Sequence, residues 1–504
     1  MAGRVWREGR SRRLAPRTYR LGLVVGFGLF LAAWVGANPP GAAPDEAAHF
    51  TKAIGTATGQ GIGQPTAPAA TASLRDRFLS QNTRSFALPG DISPDPRWAC
   101  EAFTTHSASC LDRPTHPGSN VAGGRSISLV GLYPEPSYLP MGLAARAASS
   151  PGAALYAGRA AGALLCLLLL GIAAVAFADG WLLVGLLAVT SPMVLFLAGS
   201  VTTGGIEICA GIAHAATVLA LVRRSHDRRI WLAYAVSGVA LALTRQFGPI
   251  WVLADLCVAA GLLGRPGLRA AVIDGGRAAV GSLTVVGLAA LTTIGWDAIA
   301  LPTVVPSFSV VLHQVGPAFS QCYRSVPQLF GVFGWLDTKP PGVTSDLALA
   351  VYALILVAAL ALGSLRQRLV LVSSLAAIVV GAVLVDAVTQ LPFGFGLQAR
   401  YVMPLTAMTL LLAAWVVHDR VGRRASLVPR VLSAVLVGEL GVAWLANSRQ
   451  AAGSAQGPRL FFQHPQWSPP GGWVPWIVVA AVAGLVMLGA ICCQPADRAE
   501  SPQL

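Results

Sequence analysis

The sequence predicts an all-α polytopic membrane bundle of about twelve transmembrane helices, with a long first extracytoplasmic loop that carries interfacial helices. Three observations predict it. Of the 504 residues, 54% are hydrophobic and only 12% charged, with a mean hydropathy of +0.62, a balance that an ordinary soluble globule does not carry. Twelve apolar runs recur along the chain, most of them at or above the ~17 residues needed to span a bilayer. Basic residues cluster in every second connection between those runs, as cytoplasmic loops do.

A formal charge of +14 is compatible with nucleic-acid binding, but 34 of the 36 basic residues are arginines, most of them in short clusters between apolar runs. That pattern sets topology, so the bilayer is the expected partner and no nucleic acid is expected. Cys166, Cys209, Cys257, Cys492 and Cys493 lie in apolar runs, where a thiol behaves as a small hydrophobe. Cys100, Cys110 and Cys322 lie in polar loops; in an oxidising compartment Cys100 and Cys110 could close a small loop, leaving Cys322 as the odd thiol.

Residues 1 to 20 carry seven arginines (4, 7, 10, 12, 13, 17 and 20) against one acid, Glu8, and form a basic cytoplasmic N-terminus. The first span follows, residues 21 to 37. Val35-Gly36-Ala37 also passes as a signal-peptidase site, but cleavage there would leave the following acidic motif on an untethered end.

Residues 38 to 152 form the extracytoplasmic loop, with eight acids: Asp45, Glu46, Asp76, Asp91, Asp95, Glu101, Asp112 and Glu135. A loop this long usually has a function or a small fold of its own. Short interfacial helices are expected around 44 to 58, 71 to 81 and 138 to 149, joined by irregular chain that includes Pro89-Gly90 and Pro114 to Gly118.

The bundle, 153 to 493, holds the remaining runs: 153 to 177, 180 to 198, 203 to 222, 230 to 244, 247 to 264, 277 to 297, 346 to 364, 369 to 387, 401 to 417, 429 to 446 and 473 to 493. Alternating them from a cytoplasmic start places Arg223/Arg224/Arg228/Arg229, Arg265/Arg269, Arg366/Arg368 and Arg420/Arg423/Arg424 inside. Both termini, with a 494–504 tail, are then cytoplasmic, in a multi-pass plasma-membrane protein.

The chemistry is expected where Pro44-Asp45-Glu46-Ala47-Ala48-His49 leaves the first span. A helix opening there puts Asp45 and His49 one turn apart, with Glu46 beside them. Either carboxylate could act as a base, or both could simply cap the helix. Together they could hold a divalent cation through oxygen ligands, though no further ligand set is evident. His49 would orient the carboxylate, contact phosphate or stand as a solvated polar group. Arg400, flanked by Gln398 and Tyr401 at the outer end of a span, is the candidate phosphate cation or a snorkelling arginine. Arg159 and Arg245 at other span ends are read as structural. Glu207 sits near the outer end of the fourth span and should face the bundle interior; Asp255 and Glu439 lie nearer mid-span, neutral or partnered with an arginine. Trp335 and Asp337 in Gly334-Trp335-Leu336-Asp337-Thr338 suit a sugar, the ring stacking on a pyranose face, or else mark an ordinary loop turn.

Four segments together resemble the bacterial membrane-protein family catalogued as domain of unknown function 2142. They are Pro44-Asp45-Glu46-x-x-His49-Phe50, Tyr133-Pro134-x-Pro136-x-Tyr138-Leu139-Pro140, Gly334-Trp335-Leu336-Asp337-Thr338 and Gln398-x-Arg400-Tyr401-x-x-Pro404. That family is grouped with the glycosyltransferase C superfamily. The resemblance implies a glycosyltransferase C-like bundle, a polyprenyl-phosphate-linked sugar donor, a cell-envelope glycan or protein acceptor and an outward active site. It makes Asp45 the favoured base and Glu46 the second, and brings Tyr133 and Tyr138 into the substrate site. Two other classes stay open: a transporter or flippase, which twelve spans would suit, and a non-catalytic envelope-assembly protein.

Overall fold

The computed structural model describes residues 16–66, 73–89, 92–104, 106–113, 121–122, 125–300, 304–421, 427–453 and 460–494. Arg4, Arg7, Arg10, Arg12 and Arg13, the Gly90 and Pro114 to Gly118 turns, Arg423, Arg424 and all but the first residue of the 494–504 tail lie outside them.

Every one of the twelve apolar runs falls on helix. The first is α1 (Pro16–Ala37). Three short helices follow in the loop, α2 (Glu46–Ala57), α3 (Leu74–Asn82) and α4 (Leu139–Arg146), close to where they were expected. The bundle then runs α5 (Pro151–Ala176), α6 (Trp181–Val189), α7 (Pro192–Ala198), α8 (Thr203–Leu221), α9 (Arg228–Thr244), α10 (Gly248–Ala300), α11 (Phe308–Ser325), α12 (Gly342–Leu362), α13 (Leu365–Val385), α14 (Met403–Val421), α15 (Leu427–Ala452) and α16 (Trp473–Cys492).

Among the described residues, eight helices are long and apolar enough to cross a membrane, or nine if the bent pair α6–α7 is one span. The difference from twelve has identifiable causes. Two expected runs share α10, whose 53 residues would reach ~80 Å as one straight rod, far beyond a ~30 Å hydrocarbon layer. Its backbone leaves helical geometry at Gly264 and Gly276, with φ of 68° and 54°, values an L side chain rarely adopts. The break carries Arg265 and Arg269 between the two runs. α9 has only 17 residues, and α14 ends in His418-Asp419-Arg420, which shortens its apolar stretch.

All of α8 is buried; it is the bundle's central rod, packed by α5, α9 and α14. α1 lies against α16 and α5, approaching α16 through Gly26 and Gly36, where a Cβ would collide with Met487 and Trp476. The exposed faces of α10 and α13 (Val285, Leu288, Leu291, Ile294; Leu369, Val372, Val380, Leu384) are apolar, as lipid-facing surfaces are.

The loop holds one feature that the sequence did not announce, a four-stranded antiparallel sheet of order β1-β2-β4-β3 (Gln64–Pro65, Arg84–Phe86, Arg125–Ser128 and Val121–Ala122). Strands of two to four residues are too short to show alternation. The sheet backs α2, with Ser128 Oγ donating to Ala48 O at 2.8 Å. Cys100 and Cys110 form a disulfide, and Cys322 is a free, half-buried thiol.

α2 also packs on α4, where a Cβ on Gly142 would stand 2.0 Å from Ala53 O. Gly142→Ala should therefore destabilise the protein by ~1–3 kcal/mol through overpacking against backbone, outweighing the ~1 kcal/mol that alanine otherwise gains in a helix. A thermal unfolding curve in detergent checks the sign: a rise in midpoint would mean that the two helices yield freely.

Candidate functional site

Asp45 is the N-cap residue of α2, but its side chain makes no cap hydrogen bond. Its backbone is left-handed (φ 63°, ψ 14°), a conformation Asp tolerates better than most residues and one that clusters at functional sites. The carboxylate turns away from the helix and meets Arg400, with Oδ2 3.5 Å from Nη2; Asp45 is about one-third exposed (32%) and Arg400 nearly buried. Residues from opposite ends of the chain thus form one ion pair.

Around this pair the structure gathers most of the expected residues. Tyr401 lies with its ring centre 5.5 Å from the Arg400 guanidinium and 5.4 Å from that of Arg245. Arg245 donates to Glu207 at 3.1 Å and to the Tyr133 hydroxyl at 3.0 Å. The other Glu207 oxygen accepts from Trp251 at 3.0 Å, so Glu207 holds Arg245 in place. His49 Nδ1 lies 2.6 Å from the Tyr138 hydroxyl. Burial, together with the nearby Arg245 and Arg400 guanidiniums, holds the imidazole pKa well below its usual value. The ring is therefore neutral, and the solvated reading of His49 is corrected: it is buried. Burial raises the Tyr138 pKa, so it stays a phenol.

Two unpaired atoms mark the site. Arg400 Nε and Gln398 Oε1 are buried without a hydrogen-bond partner, a state that costs free energy unless something else satisfies it. A guanidinium with a spare donor is suited to an anion.

Glu46 has a different environment. Its oxygens accept from Arg159 at 2.8 and 2.6 Å, from the Gly41 N–H at 3.0 Å and from the Val201 N–H at 2.9 Å. Arg159 also donates to the Asn38 and Pro39 carbonyls, each at 2.7 Å. With both oxygens taken, Glu46 reads as a structural clamp rather than a second base. The two acids diverge, Asp45 turned to Arg400 and Glu46 to Arg159. The one cluster of ligand-type atoms among the described residues is Cys100, Glu101 and Cys110, and the disulfide removes both thiols from it.

Trp335 and Asp337 do not join the Asp45 group. They sit in a tight turn with Gly334 and Leu336 at positive φ, where Trp335 donates to Gly41 O at 3.1 Å and Asp337 accepts from the Phe103 N–H at 2.8 Å. They line a neighbouring open pocket.

Sequence reasoning set Arg245 aside as structural, although it touches Glu207, Tyr133 and Tyr401. Its signal was an arginine directly following an apolar run, indistinguishable in sequence from an interfacial anchor. Lys52 went unnoticed: buried in α2, it donates to Gly61 O at 2.8 Å and lies 3.7 Å from Glu135, and burial lowers its pKa to about 8. Asp255 pairs with His214 at 2.6 Å rather than with an arginine.

Fold and site together define an all-helical polytopic membrane protein with a charged, tyrosine-lined site where its long loop meets the bundle. A family model described as "Predicted membrane protein (DUF2142)" matches residues 27–409, a stretch that contains every candidate residue named above. The chain belongs to that family. No curated protein and no solved structure matches it.

Proposed function

We propose that this chain is a glycosyltransferase of the extracytoplasmic membrane face, moving a sugar from a polyprenyl-phosphate donor to a cell-envelope glycan or protein. The observation that carries the reading is the Asp45–Arg400 pair, a partly exposed carboxylate beside a guanidinium with a spare buried donor. Asp45 takes the proton of the acceptor hydroxyl as its oxygen bonds to the sugar carbon. The bond from that carbon to the phosphate oxygen breaks, and the departing polyprenyl phosphate is held by Arg400 with Arg245 behind it. His49, neutral and bound to Tyr138, positions the turn rather than carrying charge. In this reading residues 38–152 are extracytoplasmic, 153–493 form the bundle, and the 1–20 and 494–504 ends are cytoplasmic at the plasma membrane.

The test is transfer of label from synthetic polyprenyl-phosphate hexoses and pentoses to envelope glycan in proteoliposomes. Label should move, and Arg400→Ala should lower kcat/KM for the donor by about 10- to 100-fold, the worth of a charge-assisted hydrogen bond. Failure of every donor to transfer would sink the reading. One observation favours transport instead: the buried His214–Asp255 pair, whose His214 Nε2 has no partner, is the kind of intramembrane pair that marks ion pathways. Uptake of intact donor by the same vesicles, without incorporation, would establish that alternative.

A further inference from the structure

The pocket beside the proposed catalytic pair belongs to no step described so far. Four separated segments build it: Pro39 and Ala42 just before Asp45, Glu101 and Thr104 in the disulfide-closed loop, the Gly334–Thr338 turn, and Asn447 and Gln450 at the end of α15. Its chemistry is mixed in a particular way. Trp335 gives the lining an indole, with Phe103 packed against it at a ring-centre distance of 5.3 Å. Asn447, Gln450, Asp337 and Glu101 supply donors and acceptors along the other sides. Glu101 Oε1 is buried with no partner, although its neighbours on the disulfide loop are hydrogen-bonded.

We infer that this pocket binds a pyranose ring of the acceptor glycan, its apolar face on Trp335 and its hydroxyls on Glu101, Asp337 and Gln450, so that a free hydroxyl reaches Asp45 over Ala42. An aromatic platform with a few convergent polar groups matches a sugar, which has one apolar face and a hydroxyl rim. A lipid tail would meet too many polar groups here, and a phosphate would meet two carboxyls, no arginine or lysine, and the imidazole of His106 as its one ionisable nitrogen base among the lining residues. The inference rests on the transferase reading for its acceptor role, but not for the binding itself.

Glu101 gives the pocket a pH dependence. Burial first, helped by the charges of Asp337 and Glu46 and opposed by a hydrogen bond from its own backbone and by Arg159, raises its pKa to about 7. Below that pH the acid is neutral and can donate a hydrogen bond; above it the group is an anion facing Asp337. The side chain therefore changes from donor and acceptor to acceptor only as pH rises through about 7, so sugar binding should change across that range, and Glu101→Gln should remove the Glu101 share of the change while leaving that of His106 on the same lining.

The experiment uses the full chain in lipid nanodiscs and saturation-transfer NMR with methyl glucoside, methyl mannoside and methyl galactoside. At least one glycoside should bind both the wild type and Asp45→Asn. Trp335→Ala should weaken binding about tenfold, as the loss of ~1.4 kcal/mol of ring stacking implies, and Trp335→Phe should restore most of it. Binding by none of the three, or binding indifferent to Trp335→Ala and to pH, overturns the inference. The two failures are distinguishable: transfer with an acceptor KM unchanged in Trp335→Ala sinks the pocket and spares the transferase, whereas Trp335-dependent binding without any transfer does the reverse.

Discussion

Asp45→Asn is expected to lower sugar transfer by ~10²–10⁴-fold, the usual contribution of a positioned general base, while leaving the protein folded and inserted. The two halves of that expectation have separate grounds. Asn matches Asp in shape and tolerates the left-handed backbone found at position 45. The Asp45–Arg400 contact is 3.5 Å long and one-third exposed on the acid's side, so its loss should cost less than the ~3–5 kcal/mol of breaking a fully buried pair. The measurement is transfer rate beside a detergent thermal melt. An unchanged rate in a well-folded variant would remove the base and the mechanism with it. A collapsed melt would show that the pair holds the fold together instead.

Asp45 and Glu46 illustrate how much of the site was legible. In sequence they are two acids in one motif, and spacing cannot separate a base from a brace. Asp45 stands outside α2 in a left-handed conformation while Glu46 opens the helix, and the two side chains diverge, Asp45 to Arg400 and Glu46 to Arg159. The partners are far away along the chain, so only the folded bundle tells which acid is which. Helices were easier, since a run of apolar residues is a local signal; each of the twelve runs is helical. The number that cross is less local. It depends on where Gly264 and Gly276 break α10 and on the bend between α6 and α7. The sheet in the loop and the buried Lys52 depend entirely on contacts between distant segments, and nothing in their immediate sequence marks them.

Arg159→Met should be the most destabilising single change. The Arg159 and Glu46 side chains are both fully buried (0%), and removing one member of such a pair leaves the other as an uncompensated charge, at ~3–5 kcal/mol. Replacing both members of a buried pair by apolar groups is often harmless, which would make Arg159→Met with Glu46→Leu a rescue. Here it should not be one. Arg159 also satisfies the Asn38 and Pro39 carbonyls, and Glu46 also satisfies the Gly41 and Val201 N–H groups. The double variant orphans all four, at ~1–3 kcal/mol each where no water reaches them. Thermal melts of the two singles and the double decide it: recovery in the double would show that the pair is a plain ion pair with relaxed surroundings. Absence of recovery would show that Glu46 and Arg159 together stitch the 38–46 segment to α5, which fixes the direction in which Asp45 leaves the membrane end of α1.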